Sequence, residues 1–308
     1  MNLFIRKIPE TLVDIHLIDG KGMSDLINYA RINKVLYVLG LYEKRLRDTP
    51  YWRELCRRRV EQRKSIIEVV DIAENLGLRI LIVKTLKPFP YVPDDVDILV
   101  VDNDINQLVT VLRQKGYQLL KIGTPEVTLR KVVNRTYVDL DIHIEMGAGP
   151  YKYISKQHLW RRHTYKILSD RKVPVPNDVD ELLITIAHSV LKEFSINLAD
   201  IFHIIFTDGE TLSIAYHQST QVGLSKAFKF TSNIAVRVIQ SVSKDSKDSS
   251  KRELLSLFPM RVHPLVIASS YVENLSYRLR FDGINPFKEL IKAPSSKGIG
   301  KILRYIGL

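Results

Sequence analysis

The sequence predicts an α+β protein in which a mixed β-sheet core lies between an N-terminal helical extension and a C-terminal helical domain. Between residues 62 and 144, helical and strand-like segments alternate in the order α-β-β-α-β-β-β, which favours one sheet with helices packed on it. From Asn177 onward, the apolar residues instead recur at helical spacing. We therefore expect an extension at 1–61, a core at 62–170 and a helical domain with a basic tail at 171–308.

The N-terminal extension is predicted to be mostly helical. Residues 1–20 alternate apolar and polar side chains and end in a glycine-containing turn, which is typical of a strand or a hairpin arm. Ser24 then begins a helix that we expect to continue to about Arg47. Residues 43–64 are strongly basic. This segment is either a contact for a phosphate backbone or a solvated helix face whose arginines pair with glutamates one turn away.

The core elements follow from short apolar segments separated by turn residues. One helix covers 62–76 and ends at Gly77, a good residue for the left-handed conformation that ends many helices. A second helix, capped by Asp102 or Asn103, stops at Gly116. The last two strands are expected to form a hairpin around Asn134-Arg135. The predicted strands lie at 79–84, 96–101, 117–121, 127–133 and 136–144.

The C-terminal domain is predicted to consist mostly of helices. Asp178 and Glu181 fit a capping box at the start of its first helix. His188 lies among apolar positions of that helix, where we expect a hydrogen-bonded core histidine. The polar segment 241–250 is expected to be a mobile loop. The basic tail from Arg278 is either an RNA-contacting extension or an ordinary solvated helix.

The composition favours a soluble protein with a polyanionic partner. Lys and Arg number 46 against 34 Asp and Glu, and the net charge of +12 suits RNA, DNA or nucleotides, although simple solubility also explains it. Cys56 is the one cysteine, so an intramolecular disulfide and a cysteine-based zinc site are excluded and a cytoplasmic setting fits. The N-terminus does not resemble a secretory signal, and no segment approaches the ~18 uncharged apolar residues of a membrane span.

Two aspartates at the start of the second core strand are the sharpest chemical feature. Asp95 and Asp97 are two residues apart, and side chains at this spacing share one face of a strand. Two carboxylates so close repel each other unless a cation or protons intervene. Hard divalent ions such as Mg²⁺ prefer oxygen ligands of this kind. The spacing therefore indicates a metal site, although a pair of aspartates at a strand entrance is often only a solvated loop end.

A third carboxylate is available on a later strand. Asp139, Asp141 and His143 alternate with apolar residues and share one face of that strand. If this strand lies beside the one that carries Asp97, three or more carboxylates converge. Such a cluster is what two-metal phosphoryl or nucleotidyl transfer requires.

These motifs, in this order, resemble the nucleotidyltransferase superfamily over residues 62–204. The branch that the sequence resembles most comprises uncharacterised nucleotidyltransferases with Leu-Lys-Gly, Asp-x-Asp and Asp-Leu-His motifs. The corresponding segments here are Val83-Lys84-Thr85, Asp95-Val96-Asp97-Ile98-Leu99-Val100, Asp141-Ile142-His143, Asp180-Glu181-Leu182-Leu183 with His188, and Asn197-Leu198-Ala199-Asp200-Ile201.

The resemblance implies roles for particular residues. Asp95 and Asp97 would be ligands of Mg²⁺ or Mn²⁺, and Asp141 the third carboxylate, which activates the acceptor hydroxyl. Asp139, on the same face, is the rival for that third role as a metal ligand. Lys84 would lie at the end of the first strand, near the triphosphate of the nucleotide.

The sequence departs from the family pattern in the region that binds the triphosphate. Thr85 replaces a glycine, and its Cβ hinders close approach of phosphate to the backbone, although its hydroxyl could donate a hydrogen bond. The arginine that precedes Asp-x-Asp in the family is missing, and Lys87 is the one cation within 86–94. Lys84, Thr85 and Lys87 are therefore the candidate nucleotide-binding residues.

The expected reaction is metal-dependent transfer of a nucleoside monophosphate from a nucleoside triphosphate to a hydroxyl, with RNA, and tRNA among RNAs, as the first candidate acceptor. One alternative is a non-catalytic nucleic-acid-binding protein on a decayed nucleotidyltransferase core, which the departures at Thr85 and the missing arginine favour. A further alternative is a toxin-type nucleotidyltransferase that modifies tRNA or a partner protein. The sequence leaves the oligomeric state open.

Overall fold

The structure is a computed structural model that describes residues 22–102, 104–123, 126–148, 151–243 and 254–281. The strand or hairpin arm predicted at 1–20 lies outside the described residues. The same holds for Asn103, for most of the loop predicted at 241–250, and for the basic tail beyond residue 281.

From residue 22 onward, four helices precede the sheet: α1 (Met23–Ile32), α2 (Leu36–Tyr42), α3 (Lys44–Arg47) and α4 (Pro50–Asn75). The single helix expected from Ser24 to Arg47 is therefore wrong. The chain leaves helical geometry after α1, where Lys34 has a positive φ of 57°. The buried side chain of Asn33 explains the break, because its amide donates to the carbonyl of Phe258 and its oxygen accepts from the amide of Leu198. These contacts attach the end of α1 to the C-terminal domain.

Five strands and one helix form the core: β1 (Ile80–Val83), β2 (Val96–Val100), α5 (Ile105–Gln114), β3 (Gln118–Ile122), β4 (Glu126–Val133) and β5 (Thr136–His143). The strand order is β1-β2-β5-β4-β3. Strands β2 and β5 run parallel, and the other neighbours are antiparallel. The predicted mixed sheet is therefore confirmed. Asp104 caps α5, and not Asp102 or Asn103 as expected, because Asp102 is bound by Arg79.

The two faces of the sheet have different partners. On one face, Ile98 of β2 and Leu140 of β5 belong to an apolar cluster with α4 and α5. On the other face, Leu81 and Leu99 belong to a second cluster with the C-terminal helices. Because side chains alternate along a strand, Asp97 lies on the face toward the C-terminal helices.

The region after the sheet contains two hairpins that the sequence did not predict, formed by β6 (Met146–Ala148) with β7 (Tyr151–Ile154) and by β8 (Thr164–Leu168) with β9 (Arg171–Val175). A short helix α6 (Lys156–Arg161) separates them. The turn between β8 and β9 uses Ser169 and Asp170 at φ of 49° and 66°. Neither residue is a glycine, so the usual sequence signal for a tight turn is missing.

The C-terminal domain begins with α7 (Asp178–His188), which continues as a π-helical turn at Ser189–Glu193. Asn177 caps α7 by accepting from the amide of Asp180, so the capping box predicted at Asp178 and Glu181 is wrong. A capping box is present instead at Asn197 and Asp200. The remaining elements are β10 (Ser195–Ile196), α8 (Leu198–Phe206), α9 (Gly209–Gln221), α10 (Ser225–Ser243), β11 (Met260–Arg261) and α11 (Pro264–Phe281). None of the helices in the described ranges is long and apolar enough to cross a membrane.

Candidate active site

The parallel pairing of β2 and β5 brings the predicted site residues together. Asp97 lies directly opposite Asp141 in the register, and Leu99 lies opposite His143. All four side chains share one face of the sheet because each is two residues from its neighbour on the same strand. Strands β2 and β5 are therefore adjacent, which is the condition under which the carboxylates were expected to converge.

Within the described part of the chain, three side chains form a group that could hold a metal ion. The candidate ligand atoms of Asp97, Asp141 and His143 all lie within 4.8 Å of one another. Asp97 and His143 are buried, and Asp141 is half-buried. The two carboxylates suit Mg²⁺ or Mn²⁺, which prefer oxygen ligands, whereas the imidazole is a ligand more typical of Zn²⁺ or Fe²⁺. His143 was not among the predicted metal ligands.

One carboxylate oxygen of Asp97 contacts both a histidine and a lysine. Its Oδ1 lies 2.7 Å from Nε2 of His143 and 2.5 Å from Nζ of Lys84. Burial alone would raise the pKa of Asp97, but the charge of Lys84 and the contact with His143 hold it well below its usual range. Burial likewise opposes the charge on Lys84, yet Asp97 and Asp95 outweigh it and raise the lysine pKa. Asp97 and Lys84 therefore form a fully charged pair.

Asp95 lies immediately before β2 and is half-buried. Burial, and next to it the charge of Asp97, raise the pKa of Asp95 to about 7, although Lys84 opposes the shift. This is the repulsion between neighbouring carboxylates that the spacing predicts. Asp95 is close enough to Asp97 and Asp141 to feel both charges, but the three-residue group does not include it.

The two candidates for the third carboxylate have different surroundings. Asp139 accepts two hydrogen bonds from the guanidinium of Arg130, at 2.6 and 2.7 Å. Asp141 accepts one hydrogen bond at Oδ1 from the hydroxyl of Thr128, at 2.7 Å. Asp141 is therefore the carboxylate beside Asp97, while Asp139 is neutralised by its own arginine one pleat away.

Thr85 connects the end of β1, after which Lys84 lies, with the start of β2, which carries Asp97. Its hydroxyl donates to the carbonyl of Val83 at 2.9 Å and accepts from the amide of Asp97 at 3.1 Å. Both bonds are buried. The Thr85 hydroxyl therefore holds the loop beside Asp97 in place. Its proton is donated to the carbonyl of Val83 and not to a phosphate outside the protein.

Lys87 makes its hydrogen bonds and its ion pair with the C-terminal helices and not with Asp97 or Asp141. Its Nζ lies 2.5 Å from the hydroxyl of Thr185, 3.2 Å from Nδ1 of His203 and 3.8 Å from Oε1 of Glu181. Burial lowers the pKa of Lys87, and the charge of Glu181 only partly opposes this. Sequence spacing does not reveal this network, because Lys87 lies about a hundred residues from its partners.

His188 and Lys34 complete the surroundings of the site. His188 is half-buried, and its Nε2 lies 3.5 Å from Glu193. Burial, with the charge of Lys84 next, holds the pKa of His188 well below its usual range. Lys34 lies 3.4 Å from Asp94, and its charge acts on Asp95. Neither sequence spacing nor composition indicated Lys34, since the fold brings it to the site from α1.

A mixed sheet with paired carboxylates on adjacent parallel strands is the architecture expected of a nucleotidyltransferase core. Residues 93–237 match the model of a family described as uncharacterised nucleotidyltransferase. This match confirms the resemblance of the sequence to the nucleotidyltransferase superfamily. It includes β2 and β5 and leaves α1 to α4 and β1 outside its range.

The chain was also compared with curated proteins and with solved structures. No curated protein matches it. One similar solved structure is an antigenic nucleotidyltransferase-like protein from Paracoccidioides brasiliensis. The two share 14% identity over 67% of this chain and 96% of that chain, with a TM-score of 0.37.

Proposed function

We propose that this protein transfers a nucleoside monophosphate from a nucleoside triphosphate to a hydroxyl, with Mg²⁺ or Mn²⁺. The observation that carries the proposal is the position of Asp97 opposite Asp141 on adjacent parallel strands, with His143 completing the group. Asp95, at the entrance of the same strand, would join them as a ligand once a cation offsets the repulsion that raises its pKa. A bound divalent cation would polarise the phosphate oxygens and neutralise the charge that develops on them.

The protein groups have separate roles in this proposal. Asp141 is half-buried, so one of its oxygens can accept the proton of the acceptor hydroxyl while Thr128 holds the other. The hydroxyl oxygen then bonds to the α-phosphorus, and the bond from that phosphorus to the bridging oxygen breaks to release pyrophosphate. Lys84 would leave Asp97 when a cation binds there and would contact the triphosphate instead. Thr85 would keep the loop beside Asp97 in place.

The acceptor in this proposal is RNA, with tRNA as one candidate. The net charge of +12 supports a polyanionic acceptor. A protein or a small molecule with a free hydroxyl would use the same chemistry, so the experiment includes them.

The direct test incubates the protein with each α-labelled nucleoside triphosphate, Mg²⁺ or Mn²⁺, RNA and a protein extract. We expect the label to be transferred by the wild type and lost in Asp97→Asn and Asp141→Asn. Asp139→Asn is the matched control, since Arg130 already neutralises that carboxylate. Label transfer that persists in both Asp97→Asn and Asp141→Asn would refute the assignment.

One observation favours the second candidate, a nucleic-acid-binding protein on a decayed core. Lys84 forms an ion pair with Asp97, and the hydroxyl of Thr85 donates to the carbonyl of Val83. Two groups that were expected to bind the triphosphate therefore already have partners within the protein. Calorimetry with a non-hydrolysable nucleoside triphosphate and Mn²⁺ separates the candidates. Binding that depends on Asp97 supports the transferase, and nucleic-acid binding without any nucleotide binding supports the decayed core.

A further inference from the structure

We propose that a cleft beside the carboxylate site, formed by the N-terminal helices, binds the single-stranded nucleic acid that serves as acceptor. The cleft has a volume of about 440 Å³. Its walls come from α1, α2 and α4 on one side and from the loop before β2 and the start of β5 on the other. Three cations and three tyrosines line it: Arg31, Lys34, Arg58, Tyr37, Tyr51 and Tyr137. The inference rests on the transferase reaction proposed above and specifies its acceptor site.

One exposed carboxylate bridges two cations of the cleft. Asp94 lies between Lys34 and Arg58, at 3.4 and 3.6 Å, and its side chain is 62% exposed, whereas that of Arg58 is 17% exposed. An exposed carboxylate at these distances contributes little, so a phosphate group could replace it. The buried Nε of Arg58 has no hydrogen-bond partner among the described residues. A buried donor without an acceptor is rare in folded proteins, so Arg58 is not fully satisfied by the groups around it.

Two tyrosines of the cleft are exposed as stacking surfaces. Tyr51 and Tyr137 are 51% and 45% exposed, and a guanidinium lies over each ring, Arg31 on Tyr51 and Arg130 on Tyr137. Tyr37 already stacks on Trp52, with ring centroids 5.0 Å apart, and has the guanidinium of Arg59 over its ring, so it shapes the wall of the cleft and is not counted as a stacking surface. Aromatic rings interleaved with cations are typical of proteins that bind single strands, because bases stack on the rings and phosphates pair with the cations.

One residue of the cleft, Tyr137, lies on the same face of the sheet as the carboxylates. Tyr137, Asp139 and Asp141 alternate with buried residues along β5, so they share one face. Tyr137 and Asp141 are four positions apart, which corresponds to about 13 Å along a strand. Asp94 in the cleft is followed directly by Asp95 at the site. A strand bound in the cleft could therefore extend its terminal hydroxyl toward Asp141.

The number and placement of the rings favour an oligonucleotide over one nucleotide. The two exposed tyrosines, Tyr51 and Tyr137, belong to different elements, α4 and β5, so they offer stacking surfaces for more than one base. The elements that build most of the cleft also precede the segment that matches the family model, residues 93–237.

The test measures binding of labelled single strands of about ten nucleotides, RNA and DNA, by fluorescence anisotropy without nucleotide or divalent metal. The full-length chain carrying Asp97→Asn serves as background, so catalysis plays no part. We compare this protein with Arg31→Gln/Lys34→Gln/Arg58→Gln and with a charge-matched control, Arg113→Gln/Lys115→Gln/Lys172→Gln, whose residues are exposed and lie outside the cleft. Tyr51→Ala and Tyr51→Phe separate stacking from charge.

We expect the cleft variant to lose at least tenfold in affinity and to show a weaker salt dependence, while the control retains most of its affinity. Tyr51→Ala should lose about fivefold or more, and Tyr51→Phe should bind like the background protein. RNA preferred over DNA would identify the acceptor class, and equal binding of both would still support the cleft. Equal losses in the cleft variant and the control, or no binding of either strand by the background protein, would overturn the proposal and leave a protein or small-molecule acceptor. Nucleotide transfer that fails while cleft-dependent binding persists would count against the reaction and not against the cleft.

Discussion

Nζ of Lys84 lies 2.5 Å from Oδ1 of Asp97, the same oxygen that contacts Nε2 of His143. A divalent cation bound by Asp97 would compete with the lysine for this oxygen. The pair also explains how two neighbouring aspartates are tolerated in a buried position, because the lysine supplies the positive charge that their spacing requires.

The first prediction concerns removal of that lysine. Lys84→Met leaves the buried carboxylate of Asp97 without its counter-ion, so we expect the metal-free protein to lose about 3–5 kcal/mol of stability. Mn²⁺ or Mg²⁺ should restore much of this loss and should bind more tightly than to the wild type. Urea unfolding with and without each cation measures both effects. Lys64→Met is the control, since its partner Glu61 forms an ion pair with a 64% exposed lysine side chain. Equal stabilisation of the wild type and Lys84→Met by the cation would contradict the competition.

The second prediction separates the two candidates for the third carboxylate. Asp141→Asn removes a ligand beside Asp97, and we expect Mn²⁺ affinity to fall by tenfold or more, in the range found when metal-site residues are changed. Asp139→Asn should leave the affinity nearly unchanged, because Asp139 is occupied by Arg130 at 2.6 Å. Titration of the Mn²⁺ electron paramagnetic resonance signal gives both affinities. A larger loss in Asp139→Asn than in Asp141→Asn would reverse the assignment.

The sequence predicted the parts of the site that depend on strand periodicity. Strand β5, which carries Asp141, alternates apolar and polar residues, and β2 is apolar apart from Asp97. The face of the strand on which each aspartate lies could therefore be predicted from the spacing. The parallel pairing of β2 and β5 could not be predicted from the sequence, since it depends on which strands meet in the folded sheet. The structure supplies that pairing.

The parts that the sequence missed depend on contacts between distant segments. The break between α1 and α2 follows from hydrogen bonds between Asn33 and residues more than 160 positions away, which no local pattern reveals. The same holds for Lys34, which reaches the site from α1, and for Lys87, whose partners are on α7 and α8. Lys87 was expected to serve the nucleotide because it is the one cation near Asp95 in sequence, but its ammonium group turns toward Thr185.

The third prediction concerns the hydroxyl of Thr85. Thr85→Val keeps the shape of the side chain but removes the acceptor for the buried amide of Asp97 and the donor to Val83. An unsatisfied buried amide costs about 1–3 kcal/mol, and we expect a loss of that size in the free energy of unfolding. Thr85→Ser retains the hydroxyl and should lose less. Urea denaturation of the two variants measures the difference, and equal losses would show that the methyl group, and not the hydrogen bonds, matters at this position.

The fourth prediction concerns the pH dependence of metal binding through Asp95. Burial and the charge of Asp97 raise the pKa of Asp95 to about 7, whereas an aspartate in the unfolded chain titrates near 3.9. The folded protein therefore binds more protons than the unfolded chain between about pH 4 and pH 7, and this group lowers stability as the pH rises through that window.

A divalent cation must displace the same proton before Asp95 can bind it. We therefore expect the affinity for Mn²⁺ or Mg²⁺ to rise with pH up to about 7, by as much as tenfold per unit, and the contribution of this group to level off above that value. Cation titrations at intervals between about pH 5.5 and pH 8.5 give the slope. Asp95→Asn removes the titrating group but leaves Asp97, Asp141 and His143 in place, so its affinity should be lower and should change less between about pH 5.5 and pH 7. A slope that is the same in Asp95→Asn and in the wild type would show that protonation of another group controls the binding of the cation.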